Sequence, residues 1–249
     1  MHAVNYSVYG VRKMWHALKR MGEPIGRDQV ARLMRIAGLR GVSRRRRQRR
    51  VSSEGPLVRA EDLVRRDWFR DAPDVVWVAD FSYVWTREGW MYVSFLQDAF
   101  SRRILGFAVR SSKGVELVTR TLLQAVNERQ RSSAEFIANG VIVHSDAGSQ
   151  YTSLAFTEKL LDLGFAASVG RVGTAYDNAL IESTIGLYKT ELVHRSATGW
   201  DSRRQLEAAT ARWVAWFNRD RLHERLGYRP PIEIEMEYVQ KQGQLRPAA

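Results

Sequence analysis

DVVWVADFSYVW, Asp74 to Trp85, is rich in valine and aromatic residues and predicts a β-strand. Asp80 falls in its middle, where burying a charge is costly, so simple solvation does not explain it. A second stretch, VIVHSDAGSQYTS (Val141–Ser153), raises the same question. The apolar run Val141–Val143 reads as the end of a buried strand, and Gly148, Ser149 and Gln150 signal the turn after it. Asp146 sits at the lip, either as a cap for the following helix or as one of several converging carboxylates.

Between and beyond these stretches the pattern alternates. WMYVSFLQDAF and RILGFAVR predict two more strands, with turns at 87–89 and 101–103, so three strands meander as hairpins. VELVTRTLLQAVNERQ predicts a long helix, VIVHSD a fourth strand, SLAFTEKLLDLGF a helix ending at Gly164, and AASV a fifth strand. RVGTAYD reads as a loop and NALIESTIGLYKTELVHR as a helix. The order β-β-β-α-β-α-β-α is an α/β architecture, a mixed sheet with helices on its faces.

In such a sheet the first strand is central and the fourth lies beside it in parallel, bringing Asp80 next to Asp146. Glu182, on the last of these helices, follows Asp146 after 35 intervening residues. Three carboxylates brought together repel, and a multivalent cation makes the arrangement favourable. Oxygen-only ligands in a chain without cysteine favour Mg²⁺ or Mn²⁺ over zinc.

Composition bounds the rest. The chain has 249 residues, 45% of them hydrophobic, enough for one sizeable core and a smaller unit. The lack of cysteine excludes disulfides and thiolate metal sites and points to a reducing compartment. No leader pattern and no long apolar run are present, so a soluble, cytoplasmic and nucleoid-associated protein without membrane partners is expected.

The net charge of +12 is concentrated at the front. Residues 1–50 hold 14 basic and 2 acidic side chains, and the remainder holds 25 of each. A basic module joined to a neutral one suggests a nucleic-acid-binding appendage. YGVRKMWHALKR puts Val11, Trp15 and Leu18 on one helical face, and MGEPIG interrupts it as a turn. RDQVARLMRIAGLRG then carries an apolar stripe of Val30, Leu33, Met34 and Ala37, leaving Arg27, Gln29, Arg32 and Arg35 outward. This fits a helix-turn-helix whose second helix enters the major groove, or else an ordinary hairpin with a solvated basic face. Arg44, Arg45, Arg46, Arg47, Arg49 and Arg50 follow as a block that repels itself unless it meets a polyanion, and it reads as a phosphate-gripping linker.

WVADFSYV, HSDAGSQYTS and YDNALIESTIGLYKTEL closely resemble the catalytic core of bacterial insertion-sequence transposases, the second-reading-frame (OrfB) product, which are relatives of retroviral integrases. The resemblance extends to YGVRKMWHALKR and GRDQVARLMRIAGLRG at the front and WVAWFNRDRLHERLGYRPPIE at the back, so it covers nearly the whole chain. It implies a ribonuclease-H-like integrase core preceded by a small all-α helix-turn-helix-like module. It further implies a DDE triad of Asp80, Asp146 and Glu182, catalytic and metal-binding, with two Mg²⁺ (or Mn²⁺) ions. Lys189 matches the basic residue one heptad after the glutamate; nearly two helical turns put it on the same face as Glu182, within reach of DNA phosphate. The implied partners are double-stranded DNA, both element ends and target, a second copy of the chain, and an upstream-frame product joined by fusion or association. Family members generally gain a further helix-turn-helix and a coiled coil from that upstream frame, and no sustained heptads occur here.

The expected division is a helix-turn-helix-like module at 1–42, a basic linker at 43–67, the catalytic core at 68–200 and a C-terminal helical extension at 201–249. A ribonuclease-H-like nuclease or resolvase, and a DNA-binding regulator with an inactive core, are the alternatives. Asp98 reads as a turn acceptor, Asp177 and Asn178 as caps of the Glu182 helix, and His144 and Asn178 as residues supporting the triad. Trp213, Trp216 and Phe217 read as the core of a C-terminal helix, and His223 as structural.

Overall fold

The computed structural model describes residues 1–43, 61–64, 70–133, 136–146, 148–170 and 178–245. The arginine block Arg44–Arg50, most of the expected linker, and the 171–177 loop with Asp177 lie outside the described residues. Strands β1 (Val76–Thr86), β2 (Gly89–Asp98) and β3 (Ile104–Arg110) form the antiparallel meander. Helix α3 (Val115–Ser132) then leads to β4 (Ile142–Ser145), α4 (Leu154–Asp162), β5 (Ala166–Val169) and α5 (Ala179–Glu191). The sheet order is β3-β2-β1-β4-β5, with β1 central and β4 parallel to it, as the sequence predicts. No helix among the described residues is long and apolar enough to cross a membrane.

The pleat of β1 splits the core in two, because successive side chains face opposite ways. Trp77 and Ala79 join Leu122, Phe156 and Phe165 under α3 and α4. Val76, Val78 and Val84 join Ile181, Tyr188 and Trp213 on the other face. Helix α3 lies so close to β3 that a Cβ on Gly106 would stand 2.2 Å from the Thr121 carbonyl oxygen, so that position excludes any side chain.

Helices α1 (Val11–Arg20) and α2 (Arg27–Ile36) form the expected pair, but their packing corrects two expectations. The buried residues of α1 are Met14 and Ala17, with Val11, Trp15 and Leu18 only half-buried. In α2 only Val30 and Met34 are buried, whereas Leu33 and Ala37 are exposed. The reason is a third partner. Helix α6 (Arg203–Arg219) shares one apolar cluster with this pair and with the sheet, and α7 (Pro231–Leu245) meets α1 through an ion pair between Glu233 and Arg20, so the module is built into the core rather than appended. Tyr6 packs on Trp216 at 4.8 Å between ring centres, and the Trp216 indole donates to Asn5 Oδ1 at 3.2 Å. The Leu222 amide donates to the Tyr9 hydroxyl at 2.7 Å, and Arg12 pairs with Glu224 at 2.9 Å. Trp213, Trp216 and Phe217 are core residues of α6, as expected, and His223 is buried.

Helix α7 is fastened by a buried ionic cluster. The Arg129 guanidinium on α3 donates to Asp74 Oδ1 at 2.7 Å and to both oxygens of Glu235, at 2.8 and 2.7 Å. Asp98 Oδ2 lies 3.8 Å away, and Arg103 donates to Glu235 Oε2 at 2.7 Å. Asp98 closes its turn, as expected, accepting from the Ser101 amide at 2.7 Å and its hydroxyl at 2.9 Å. Removing one member of a buried ion cluster leaves charges unpaired. Arg129→Ala is therefore expected to cost about 3–5 kcal/mol in denaturant unfolding.

Burial pushes the Asp98 carboxyl up to about 6, against the opposing pull of Arg129. The folded protein thus holds this proton more tightly than the unfolded chain, and the stability it contributes at low pH is lost as pH rises through about 4 to 6. The stability of wild type relative to Asp98→Asn should fall by on the order of 2 kcal/mol across that window. Unfolding curves at stepped pH measure it, and a constant difference would remove Asp98 as the titrating group.

Candidate active site

The parallel register of β1 and β4 runs from Val76–Ile142 to Ala79–Ser145. One step further on each chain stand Asp80 and Asp146, both half-buried. Asp80 Oδ1 accepts from the Phe81 amide at 2.7 Å. Asp146 does not cap α4. That role falls to Ser153, whose hydroxyl accepts from the Phe156 amide at 3.3 Å.

Tyr151 packs between Phe81 and Phe156 in the turn that follows Asp146. Burial raises its hydroxyl well above the ordinary value, and the negative charges of Asp80 and Asp146 raise it further. One buried hydroxyl thus feels both carboxylates. Sequence reasoning passed over Tyr151; its only signal was an aromatic residue in a turn otherwise made of small and polar ones.

Asn178 stands at the N-cap position of α5 but makes no side-chain cap. Its amide nitrogen instead donates to the Ala79 carbonyl at 3.1 Å, which pins the start of α5 beside Asp80. Its Oδ1 is buried and makes no hydrogen bond among the described residues. Glu182 lies in the first turn of this helix, its amide bonded to the Asn178 carbonyl at 3.2 Å. Ile181, Ile185 and Tyr188 bury the adjoining face, and Thr184 donates to Gln97 Oε1 at 2.9 Å. Lys189 Nζ sits 4.9 Å from the Tyr83 ring centre. Tyr83, Trp85 and Trp90 are exposed on the β1–β2 hairpin, with Trp90 touching both others edge-on.

Among the described residues, no three acidic, histidine or cysteine side chains are gathered closely enough to hold an ion. Like charges resist such gathering without a cation. Asp80 and Asp146, next beyond the paired residues of β1 and β4, carry oxygen donors only, the kind that a hard divalent ion takes. His144 Nδ1 lies 2.8 Å from Ser168 Oγ of β5 and 3.9 Å from Asp62, so its ring ties the strand to the 61–64 segment. Arg27, Gln29, Arg32 and Arg35 are all exposed on α2.

Residues 70–175 match the family described as Integrase core domain, residues 163–231 match a second family of the same description, and residues 1–47 match HTH-like domain. A protein of Mycobacterium tuberculosis (strain CDC 1551 / Oshkosh) assigned to insertion sequence element IS986/IS6110 is 46% identical over 250 residues, covering 100% of this chain and 88% of its own. The transposase for insertion sequence element IS629 of Shigella sonnei is 45% identical over 234 residues, 94% of this chain and 76% of its own. Among solved structures, the catalytic core domain of BIV integrase superposes with a TM-score of 0.50 at 16% identity, over 68% of this chain and 98% of its own. The HTLV-2 integrase catalytic core domain in complex with magnesium gives 0.50 at 16% identity, over 66% and 97%.

Asp146→Asn removes one of two adjacent charges at nearly constant shape. In chelator the variant is expected to be more stable than wild type by on the order of 1 kcal/mol, and in millimolar Mg²⁺ the ranking should reverse or vanish. Thermal melts of both proteins under both conditions test this. A variant less stable than wild type in chelator would make Asp146 a structural residue.

Proposed function

The chain belongs to the insertion-sequence transposases with an integrase core domain, and from that premise we propose that Asp80, Asp146 and Glu182 form its catalytic triad. The observation that carries this reading is the end of the β1–β4 register. It aligns Asp80 with Asp146, while Asn178 fastens α5 to the residue before Asp80, one helical turn ahead of Glu182. The reaction is phosphoryl transfer on DNA. Hydrolysis breaks a phosphodiester at the element end and frees its 3′-hydroxyl; in strand transfer that hydroxyl attacks a target phosphate, and a target 3′-hydroxyl leaves.

Two Mg²⁺ (or Mn²⁺) ions held by the three carboxylates would activate the attacking water or hydroxyl and stabilise the leaving oxygen. The oxygen-only donors and a structural neighbour solved with magnesium support the choice of ion. The chain's own groups position the DNA. Lys189, held over Tyr83, offers its ammonium to a phosphate on the face of α5 that carries Glu182. Asn178 keeps that helix in register with Asp80 and is a positioning residue. The exposed Arg27, Gln29, Arg32 and Arg35 grip duplex DNA, and the arginine block Arg44–Arg50 adds sequence-independent affinity.

We read the working unit as more than one copy on DNA, in association with an upstream-frame product. Leu154 and Leu161, seven residues apart on α4, present exposed apolar surface that would suit a second copy. The functional division remains the module at 1–42, linker at 43–67, core at 68–200 and extension at 201–249.

Glu182→Gln decides the central assignment. The variant is expected to lose strand cleavage and joining by at least a hundredfold, the scale on which losing one electrostatic catalytic group acts, while its gel-shift affinity stays within a factor of about two, as expected if duplex affinity rests on phosphate contacts made elsewhere. Retained cleavage would take Glu182 out of the site.

A further inference from the structure

A cavity of about 680 Å³ opens where the β2–β3 turn meets the C-terminal helices. It is lined by five cationic side chains, Arg70, Arg102, Arg225, Arg229 and Lys241, against two acidic ones, Asp71 and Glu237. Glu237 is already engaged twice, by Arg229 and by Lys241 at 2.7 Å. Those partners hold its carboxyl down at about 2, so it stays ionised and committed to them. Arg102 and Arg225 have no such partner; neither forms an ion pair among the described residues.

Arg102 is held there by the fold. Its backbone adopts a left-handed conformation, φ 66°, in the tight turn after Asp98. Its amide donates to the Asp98 carbonyl at 3.1 Å, and its own carbonyl accepts from Gln97 at 2.5 Å. The side chain is half-buried beside a second cation, Arg225. Burial lowers its pKa to about 10, with Asp98 pulling the other way and Arg225 adding a smaller push down. Phe100 and Tyr238, 5.6 Å apart edge to face, line the same cavity. A concave surface with surplus guanidinium donors and a non-polar lining has the chemistry that takes phosphate.

We propose that this cavity binds the phosphates of a DNA backbone segment other than the one being cut, an inference that rests on the DNA-transposing reading above. The cavity lies by the start of β1, whereas Asp80 stands in the middle of that strand. The Ala99 amide bonds to the Val76 carbonyl at 2.9 Å, and Asp80 is four residues further along the strand. At about 3.3 Å per residue that is roughly 13 Å, or about four base-pair steps of 3.4 Å, so a phosphate held by Arg102 is not the scissile one. The cavity is a second point of support for the same duplex or a grip on a different one.

The test measures binding of a short labelled duplex to the full chain, in chelator, as a function of salt. Arg225 is exposed and unpaired, so Arg225→Gln should fold as wild type, which a melt verifies. The log–log salt slope should fall by roughly 0.9 in Arg225→Gln and by roughly 1.8 in the double variant Arg102→Gln/Arg225→Gln. A wild-type slope in folded Arg225→Gln overturns the proposal. So does calorimetric binding of inorganic tripolyphosphate that is lost in Arg225→Gln while the duplex slope is unchanged, which would mark a site for free polyphosphate. Glu182→Gln should keep the wild-type slope, so a failed catalytic assignment and a failed backbone grip give different results.

Discussion

One buried guanidinium holds the architecture together. Arg129 reaches from α3 to Asp74, at the entry to β1, and to Glu235 on α7, with the Asp98 turn close by. Desolvating that much charge is favourable only when each hydrogen-bonding group is matched, and the matching fixes three distant segments at one point. The start of β1 cannot shift without breaking it. Since β1 carries Asp80 and sets the register of β4, the alignment of Asp80 with Asp146 depends on a cluster at the other end of the sheet.

The same economy governs α5. An asparagine at the head of a helix ordinarily satisfies its own first amides. Asn178 commits its amide to the carbonyl of Ala79 instead, the last residue of β1 that pairs with β4. That bond closes the gap left by the short fourth strand and sets the height of Glu182 beside the strand ends. Local helix stability is given up for a long-range constraint, as is common where a site must be held in place.

Much of this was legible in the sequence because it rests on local pattern. The three-strand meander, the helix order and the pairing of β1 with β4 follow from apolar periodicity and turn residues, and the spacing of Asp80, Asp146 and Glu182 follows from chain order. What stayed hidden rests on partners far apart in sequence. Arg129 looks like one more charge on a solvated helix face until Asp74 and Glu235, 55 and 106 residues away, close around it. Leu33 fits the apolar stripe of α2, yet only Val30 and Met34 enter the shared cluster and Leu33 is left outside. His144 lies two residues before Asp146, but its ring engages Ser168 on the neighbouring strand.

The aromatic hairpin has a spectroscopic consequence. Trp77 and Trp213 are wholly buried, and Trp200 and Trp216 nearly so, whereas Trp85 and Trp90 stand more than half and half exposed, with ring centres 5.1 Å apart. Among the described residues these indoles fall into a shielded set expected to emit to the blue and a wet pair expected to emit to the red, with the half-buried Trp15 between them. The wet pair sits five residues along β1 from Asp80, beside the Lys189 ammonium over Tyr83. Its long-wavelength fluorescence is a native optical probe of whatever is laid across that end of the sheet.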